Sequence, residues 1–295
     1  MKIANQTLKE TSGMRLPKWI AEETRKSRGG REVKKRLRSH GLHTVCEEAR
    51  CPNQGRCFSK STAAFLILGD NCTRRCGFCA VGHGALEPVD PDEPRRVAET
   101  AKELGLNYVV VTSVTRDDLP DGGAGQFAET IRQIRRFTPE AKVEVLIPDF
   151  KGDERALEIV LSACPDVFNH NIETVGHLYS LVRPQADYRR SLGVLKSAKK
   201  ISPGITTKSG LMVGLGESFE DVKAVLKDLR TTDCDCLTIG QYLRPRRSNL
   251  PVKEYVRPEV FKEYGLLAKT MGFKKVSSAP LVRSSMDAEE LTTYA

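Results

Sequence analysis

Cys72, Cys76 and Cys79 stand in a C-x3-C-x2-C spacing directly behind the apolar run 63–68. Three thiolates on one short loop hold three irons of a cubane iron–sulfur cluster and leave the fourth iron open to a small molecule. In a chain with 9 Cys among 295 residues, chance produces this triplet about 0.01 times. A structural zinc site is the alternative, but zinc frameworks usually pair two C-x2-C or Cys/His sets and close all four positions, which this loop alone does not do. A second set, Cys46, Cys51 and Cys57, precedes it in a C-x4-C-x5-C spacing, with Pro52, Asn53 and Gly55 marking turns. Two separate clusters are the economical reading, because a strand-length apolar run separates the loops. One shared binuclear or zinc arrangement is the alternative.

An odd cysteine count, with six of nine in two tight sets, fits metal binding in a reducing, cytoplasmic compartment better than a disulfide framework. Hydrophobic residues at 39% and charged residues at 29% belong to a globular protein, here one large α/β domain with terminal extensions. No apolar run approaches the roughly 20 residues of a membrane helix, and residues 1–10 carry neither an apolar core nor an Arg/Ser-rich pattern, so no membrane, signal or transit segment is expected. The net charge of +9 asks for an acidic partner. Much of it lies in one run, Arg25, Lys26, Arg28, Arg31, Lys34, Lys35, Arg36 and Arg38, opposed only by Glu32. Such a run is a solvated helix face or a docking surface for an acidic protein or RNA; no aromatic interleaves it, which weakens the case for single-stranded nucleic acid.

Strand-length apolar runs at 65–68, 108–112, 143–147, 167–172, 211–213 and 237–239 alternate with helical patterns at 93–104, 126–137, 154–163, 188–201 and 218–229. A helix at 257–271 and a short strand at 274–277 close the chain. Six βα units with runs apolar on both faces predict a parallel sheet covered by helices, closed or open, with ligands beyond the carboxyl ends of the strands. Polar residues collect there: Thr112, Ser113, Arg116, Asp117 and Asp118; then Asn169, His170, Asn171 and Glu173; then Gly214 and Glu217; then Gln241, Tyr242 and Arg244. Alternation along a strand puts Asn169, Asn171 and Glu173 on one face and His170 on the other. Capping of strand or helix ends is the alternative role for any of them. Cys164, Cys234 and Cys236 read as small buried hydrophobes.

The loop Cys72–Cys79, with Phe78 before its last cysteine, resembles the signature of radical S-adenosylmethionine (SAM) enzymes. HTVCEEARCPN at 43–53, VVVTSVTRDDLPDGG at 109–123, EVLIPDF at 144–150, NHNIET at 169–174 and the late Arg283-Ser284-Ser285 extend that resemblance to the lipoyl synthase family, from about residue 15 to residue 285. The resemblance implies a partial (β/α)6 barrel at 61–272, an N-terminal extension at 1–60 carrying an auxiliary cluster loop, and a C-terminal extension at 273–295. It implies two 4Fe–4S clusters and SAM as cofactors. Cys72, Cys76 and Cys79 would hold the SAM cluster, and Cys46, Cys51, Cys57 and the Ser284 oxygen an auxiliary cluster that is consumed as the sulfur source. An oxygen ligand is harder than thiolate and exchanges more readily at iron, which suits a cluster meant to be taken apart. Phe78, Thr112, Ser113, Asn171, Glu173 and Gly214 are the expected SAM contacts: Asn171 and Glu173 offer the donor and acceptor that ribose hydroxyls need, and a glycine at 214 lets backbone approach a flat adenine. Arg283 and Ser284 are the expected catalytic residues. The implied reaction inserts sulfur at carbons six and eight of an octanoyl chain on a carrier-protein lysine, the partners being the glycine-cleavage H protein, E2 lipoyl domains and an external electron donor, with no nucleic acid. Met286, Phe58 and Thr115 stand where the family usually has tyrosine, tryptophan and aspartate.

Overall fold

The computed structural model describes residues 15–25, 30–59 and 63–292. The segment 1–10, the boundary at 60/61, and Lys26, Arg28 and the side chain of Arg25 in the basic run lie outside them.

Two short helices, Lys18–Arg25 (α1) and Arg31–Ser39 (α2), lead into a two-residue strand His43–Thr44 (β1), then Val45–Glu48 (α3) and Gln54–Ser59 (α4). The alternating part follows as Ala64–Ile67 (β2), Glu93–Glu103 (α5), Tyr108–Ser113 (β3), Ala124–Phe137 (α6), Lys142–Leu146 (β4), Glu154–Ser162 (α7) and Val167–Asn169 (β5). It continues as Tyr179–Val182 (α8), Tyr188–Ile201 (α9), Thr206–Val213 (β6), Phe219–Arg230 (α10), Cys236–Gln241 (β7), Pro258–Thr270 (α11) and Lys275–Ser278 (β8), and ends in Ala288–Thr292 (α12). One sheet runs in the order β1 to β8, parallel from β2 onward and open, with β1 and β8 at its edges. All six expected strands are in it. The tail strand joins as a seventh parallel member, and β1, too short to leave a periodic signal, adds an antiparallel edge.

The inner strands are buried on both faces, as their apolar runs require: Val109, Val110 and Val111 are at most 2% exposed. Helices cover them with stripes at helical spacing, such as Phe127, Ile131 and Ile134 on α6 and Val222, Val225, Leu226 and Leu229 on α10. A capping box, Ser218 with Asp221, starts α10.

Two expectations change. The strand predicted at 167–172 stops at Asn169, and Glu173 takes a left-handed φ of 65°. Strict alternation therefore fails beyond Asn169, with consequences for His170 described below. Cys164 is exposed, because it sits just past the end of α7 with φ 57°, which turns its side chain to solvent; Cys234 and Cys236 are buried as expected.

The C-terminal segment is stitched to the first cysteine set. Asn53 donates through Nδ2 to the Leu281 carbonyl at 2.6 Å and to Met286 Sδ at 3.0 Å. Arg56 pairs with Asp287 at 3.1 Å. These contacts span more than 220 residues of sequence and bring Ser284 back to the loop of Cys46, Cys51 and Cys57.

Candidate active site

A cavity of about 570 Å³ opens at the carboxyl ends of the strands. Its wall contains Cys72, Cys76 and Cys79 from the loop after β2, Cys46 and Cys51 from the extension, and Ser284 from the tail. Phe78, Thr112, Ser113, Asn171, Glu173 and Arg283 share that wall. Cys57 stands behind it on α4, packed against the core, yet it and Cys51 both lie close enough to Cys46 for their charges to oppose its ionisation. Among the described residues no three His, Cys, Asp or Glu side chains are placed to share a single metal ion. A cubane takes its thiolates at separate irons and needs no common point.

Burial pushes the thiols of Cys46 and Cys79 up to about 12, with neighbouring cysteines adding to the shift; Cys76 moves the same way for the same first reason. Thiols so placed are protonated at neutral pH and release protons when metal binds.

The second cysteine loop is clamped from several sides. Gly77 N donates to the Val182 carbonyl at 2.9 Å, Leu250 N donates to Gly77 O at 3.0 Å, and Asn249 Nδ2 reaches Cys79 O at 2.7 Å. Between the cysteines, Arg74 is 5% exposed and forks onto Asp117 at 2.7 and 2.9 Å and onto Asp149 at 2.6 Å. Backbone amides of Arg74 and Thr115 point at Cys72 Sγ at 3.4 and 3.3 Å, the donors a thiolate needs.

The polar wall has the inventory that an amino-acid nucleoside demands. Among the described residues Ser113 Oγ is buried without a partner, and so are His170 Nε2 and Arg183 Nε, an arrangement that costs stability unless a ligand completes it. Asn171 Nδ2 donates to Glu173 Oε1 at 3.1 Å. Burial raises the Glu173 carboxyl above its usual range, and Arg183 opposes that shift. Arg183 is held by the Asn171 carbonyl and by the hydroxyl of Tyr179, both at 3.1 Å, and its charge favours ionisation of Cys76. His170 lines the cavity although alternation pointed it away, because the strand has already ended. Its Nδ1 lies 2.9 Å from the Ile147 carbonyl and must donate, leaving Nε2 as an acceptor; burial, with help from Arg183, lowers it to about 4, so it is neutral. These residues fit SAM and an open iron: unpaired donors and acceptors sit beside the cysteine loop.

Other strand-end residues turn out to brace the frame. Gly214 is outside the cavity wall; its amide donates to Glu217 Oε1, and an added Cβ would lie 2.4 Å from the Glu254 carbonyl. The need for glycine there is a close chain crossing with φ 98°, and the glycines at the cavity itself are Gly210 and Gly240. Glu217 accepts from the amides of Gly214 and Leu215, Arg116 pairs with Asp118, and Gln241 binds Tyr242 O, Glu254 O and Val256 N. Arg74, Arg183, Gly240 and the cavity role of His170 were not read from the sequence; nothing in their local pattern sets them apart.

Residues 66–229 match the family model of the radical SAM superfamily, and residues 2–51 match that of the N-terminal domain of lipoyl synthase. The chain is 58% identical over 276 residues to the lipoyl synthase of Caldicellulosiruptor saccharolyticus, covering 94% of this chain and 97% of that one. It is 53% identical to the lipoyl synthase of Alkaliphilus metalliredigens, covering 94% and 95%. Its fold is similar to that of methylornithine synthase, with a TM-score of 0.54 at 15% identity over 72% of this chain and 63% of the other. The open parallel sheet, the cysteine loop at its carboxyl end and these matches together make the chain a member of the lipoyl synthase family within the radical SAM superfamily, a sulfur-inserting enzyme.

Proposed function

We propose that this chain inserts two sulfur atoms at carbons six and eight of an octanoyl group borne on a lysine of an acidic carrier protein, with an external reductant, SAM and two 4Fe–4S clusters. The observation that carries the reading is one cavity whose wall contains both Cys72, Cys76 and Cys79 and Cys46, Cys51 and Ser284. The target carbons bear no acidifying group, so acid–base chemistry does not reach them. Bound SAM and its cluster supply a carbon radical that takes hydrogen from such positions, and the auxiliary cluster supplies sulfide.

The protein's own part is positional. In this reading Cys72, Cys76 and Cys79 hold the SAM cluster, and Arg74 and Asn249 fix their loop. Cys46, Cys51, Cys57 and Ser284 hold the auxiliary cluster. Ser113, Asn171, Glu173 and Arg183 bind SAM: the guanidinium takes its carboxylate, and Asn171 with Glu173 takes the ribose hydroxyls. Thr112 braces the site, donating to the Leu146 carbonyl at 2.8 Å. Phe78 and the apolar wall, Leu66, Val81 and Leu211 among it, keep water from a radical and accept an eight-carbon chain. The carrier docks through charge: Arg31, Lys35 and Arg38 are exposed on α2, and Arg244 stands at the cavity.

The test is anaerobic reconstitution with iron and sulfide, followed by SAM, reductant and an octanoyl-lysyl peptide. Mass spectrometry should find a doubly thiolated peptide and 5′-deoxyadenosine. An unmodified peptide alongside SAM cleavage would overturn the assignment.

A further inference from the structure

Beneath Ser284 lies a wholly buried ion pair that the reading above leaves unused. Lys208 and Glu144 are both 0% exposed, with Nζ at 2.9 and 3.0 Å from the two carboxylate oxygens. Tyr108 donates its hydroxyl to Glu144 Oε2 at 2.7 Å. Asn169 Nδ2 donates to Glu144 Oε1 at 2.7 Å and to Ser284 Oγ at 2.8 Å, and Ser284 Oγ donates to Asn171 Oδ1 at 2.9 Å. The four residues beneath the serine come from four adjacent strands, β3 to β6, and Asn169 and Lys208 are paired in register.

The polarity of this chain has one solution. Lys208 only donates and the Glu144 carboxylate only accepts, so the Asn169 amide must turn its NH2 to Glu144; the opposite rotamer sets carbonyl oxygen against carboxylate. That leaves Asn169 Oδ1 buried without a partner among the described residues. The second hydrogen of the same NH2 then falls on Ser284, a residue outside regular secondary structure whose χ1 has three staggered wells. With one hydrogen bond accepted and one donated, Oγ keeps a single free lone pair, in a wall shared with Cys46 and Cys51. A buried ion pair is costly, and fixing one arrangement is a use for which it suffices.

We propose that Asn169, locked in one amide orientation by Glu144 and Lys208, is a positioning residue that aims the Ser284 oxygen at the auxiliary cluster. The inference rests on the reading that Cys46, Cys51, Cys57 and Ser284 hold that cluster. The test uses the full chain carrying C72A/C76A/C79A, so that all bound iron reports on the auxiliary site, reconstituted anaerobically and followed by iron analysis and electron paramagnetic resonance. N169A should weaken retention of the fourth iron against a chelator about 10–100-fold, as loss of a ligand-orienting hydrogen bond does, and raise the three-iron signal. Combined with S284C, whose thiolate needs no such orientation, N169A should change neither. Equal loss of iron in the Ser284 and S284C backgrounds would mean a structural role and overturn the inference, as would unchanged retention in N169A when S284A loses the iron. Full four-iron retention in S284A would instead overturn the ligand reading beneath it.

Discussion

Arg74 ties the cysteine loop to the sheet, and Arg74→Met should cost about 3 kcal/mol. Its side chain is 5% exposed and that of its partner Asp149 is 0% exposed, so removing the cation strands a buried carboxylate, a change worth about 3–5 kcal/mol. Arg190 at 3.3 Å and the Lys151 amide at 3.1 Å remain on Asp149, which sets the loss near the lower bound. Proton linkage gives a second magnitude. Burial alone would raise the Asp149 carboxyl, but the hydrogen bond and charge of Arg74, aided by His170 and the Lys151 amide, bring it from 3.8 down to about 2. At about 1.36 kcal/mol for each tenfold change in proton affinity this is about 2.5 kcal/mol. The group is a stronger acid folded than unfolded, so this stability is fully present above pH 4 and is lost as pH falls through 3.8 to about 2. Urea unfolding followed by circular dichroism, under anaerobic conditions, measures both effects. Arg74→Met should lower stability at pH 7 and flatten the acid limb, and adding D149N should recover at least about 1 kcal/mol, because the two residues are coupled. A loss below about 1 kcal/mol, or equal losses with and without D149N, would refute the reasoning.

Gly240→Ala should abolish sulfur transfer while SAM cleavage survives, because its Cβ would lie 2.2 Å from the Val282 carbonyl and displace the segment bearing Ser284; intact thiolation by mass spectrometry would oppose this. Arg183→Met should weaken SAM binding by about 10–100-fold, measured by equilibrium dialysis, since it removes a cation and the hydrogen bond to the Asn171 carbonyl; unchanged affinity would remove it from the site. Charge reversal of Arg31, Lys35 and Arg38, which have no ion pair among the described residues, should weaken carrier binding and flatten its salt dependence. Reversing Lys34 and Arg36 should do less to binding, because Lys34 already meets Glu47 and Arg36 already meets Glu32 and Glu103. Surface plasmon resonance at two ionic strengths separates the pairs of outcomes.

The features legible in the sequence are those whose signal is local. Ligand spacing in Cys72, Cys76 and Cys79 lies within one loop, and strand and helix periods lie within a dozen residues, so the expected elements agree with the fold to within a few residues in most cases. Long-range pairings leave no such trace. Arg74 meets Asp149 across 75 residues and Lys208 meets Glu144 across 64, and no pattern distinguishes either cation from a solvated one. Glu144 and Lys208 also lie in strand segments whose interior would ordinarily be apolar. His170 was misdirected because alternation holds only while the chain stays extended, and the left-handed turn at Glu173 depends on contacts made elsewhere, such as the Glu173 amide on the Gly210 carbonyl. A glycine signals close approach without saying of what, and at Gly214 the close approach is by the chain at Glu254 rather than by a ligand.

The central claim is that one cavity serves two metal centres with separate jobs. Iron and sulfide analysis with Mössbauer spectroscopy, on protein purified and reconstituted without oxygen, tests it most directly. The account predicts about eight irons per chain, falling to about four in C72A/C76A/C79A and to about four in C46A/C51A/C57A. About four irons in the unaltered chain, or zinc in place of iron, would contradict it.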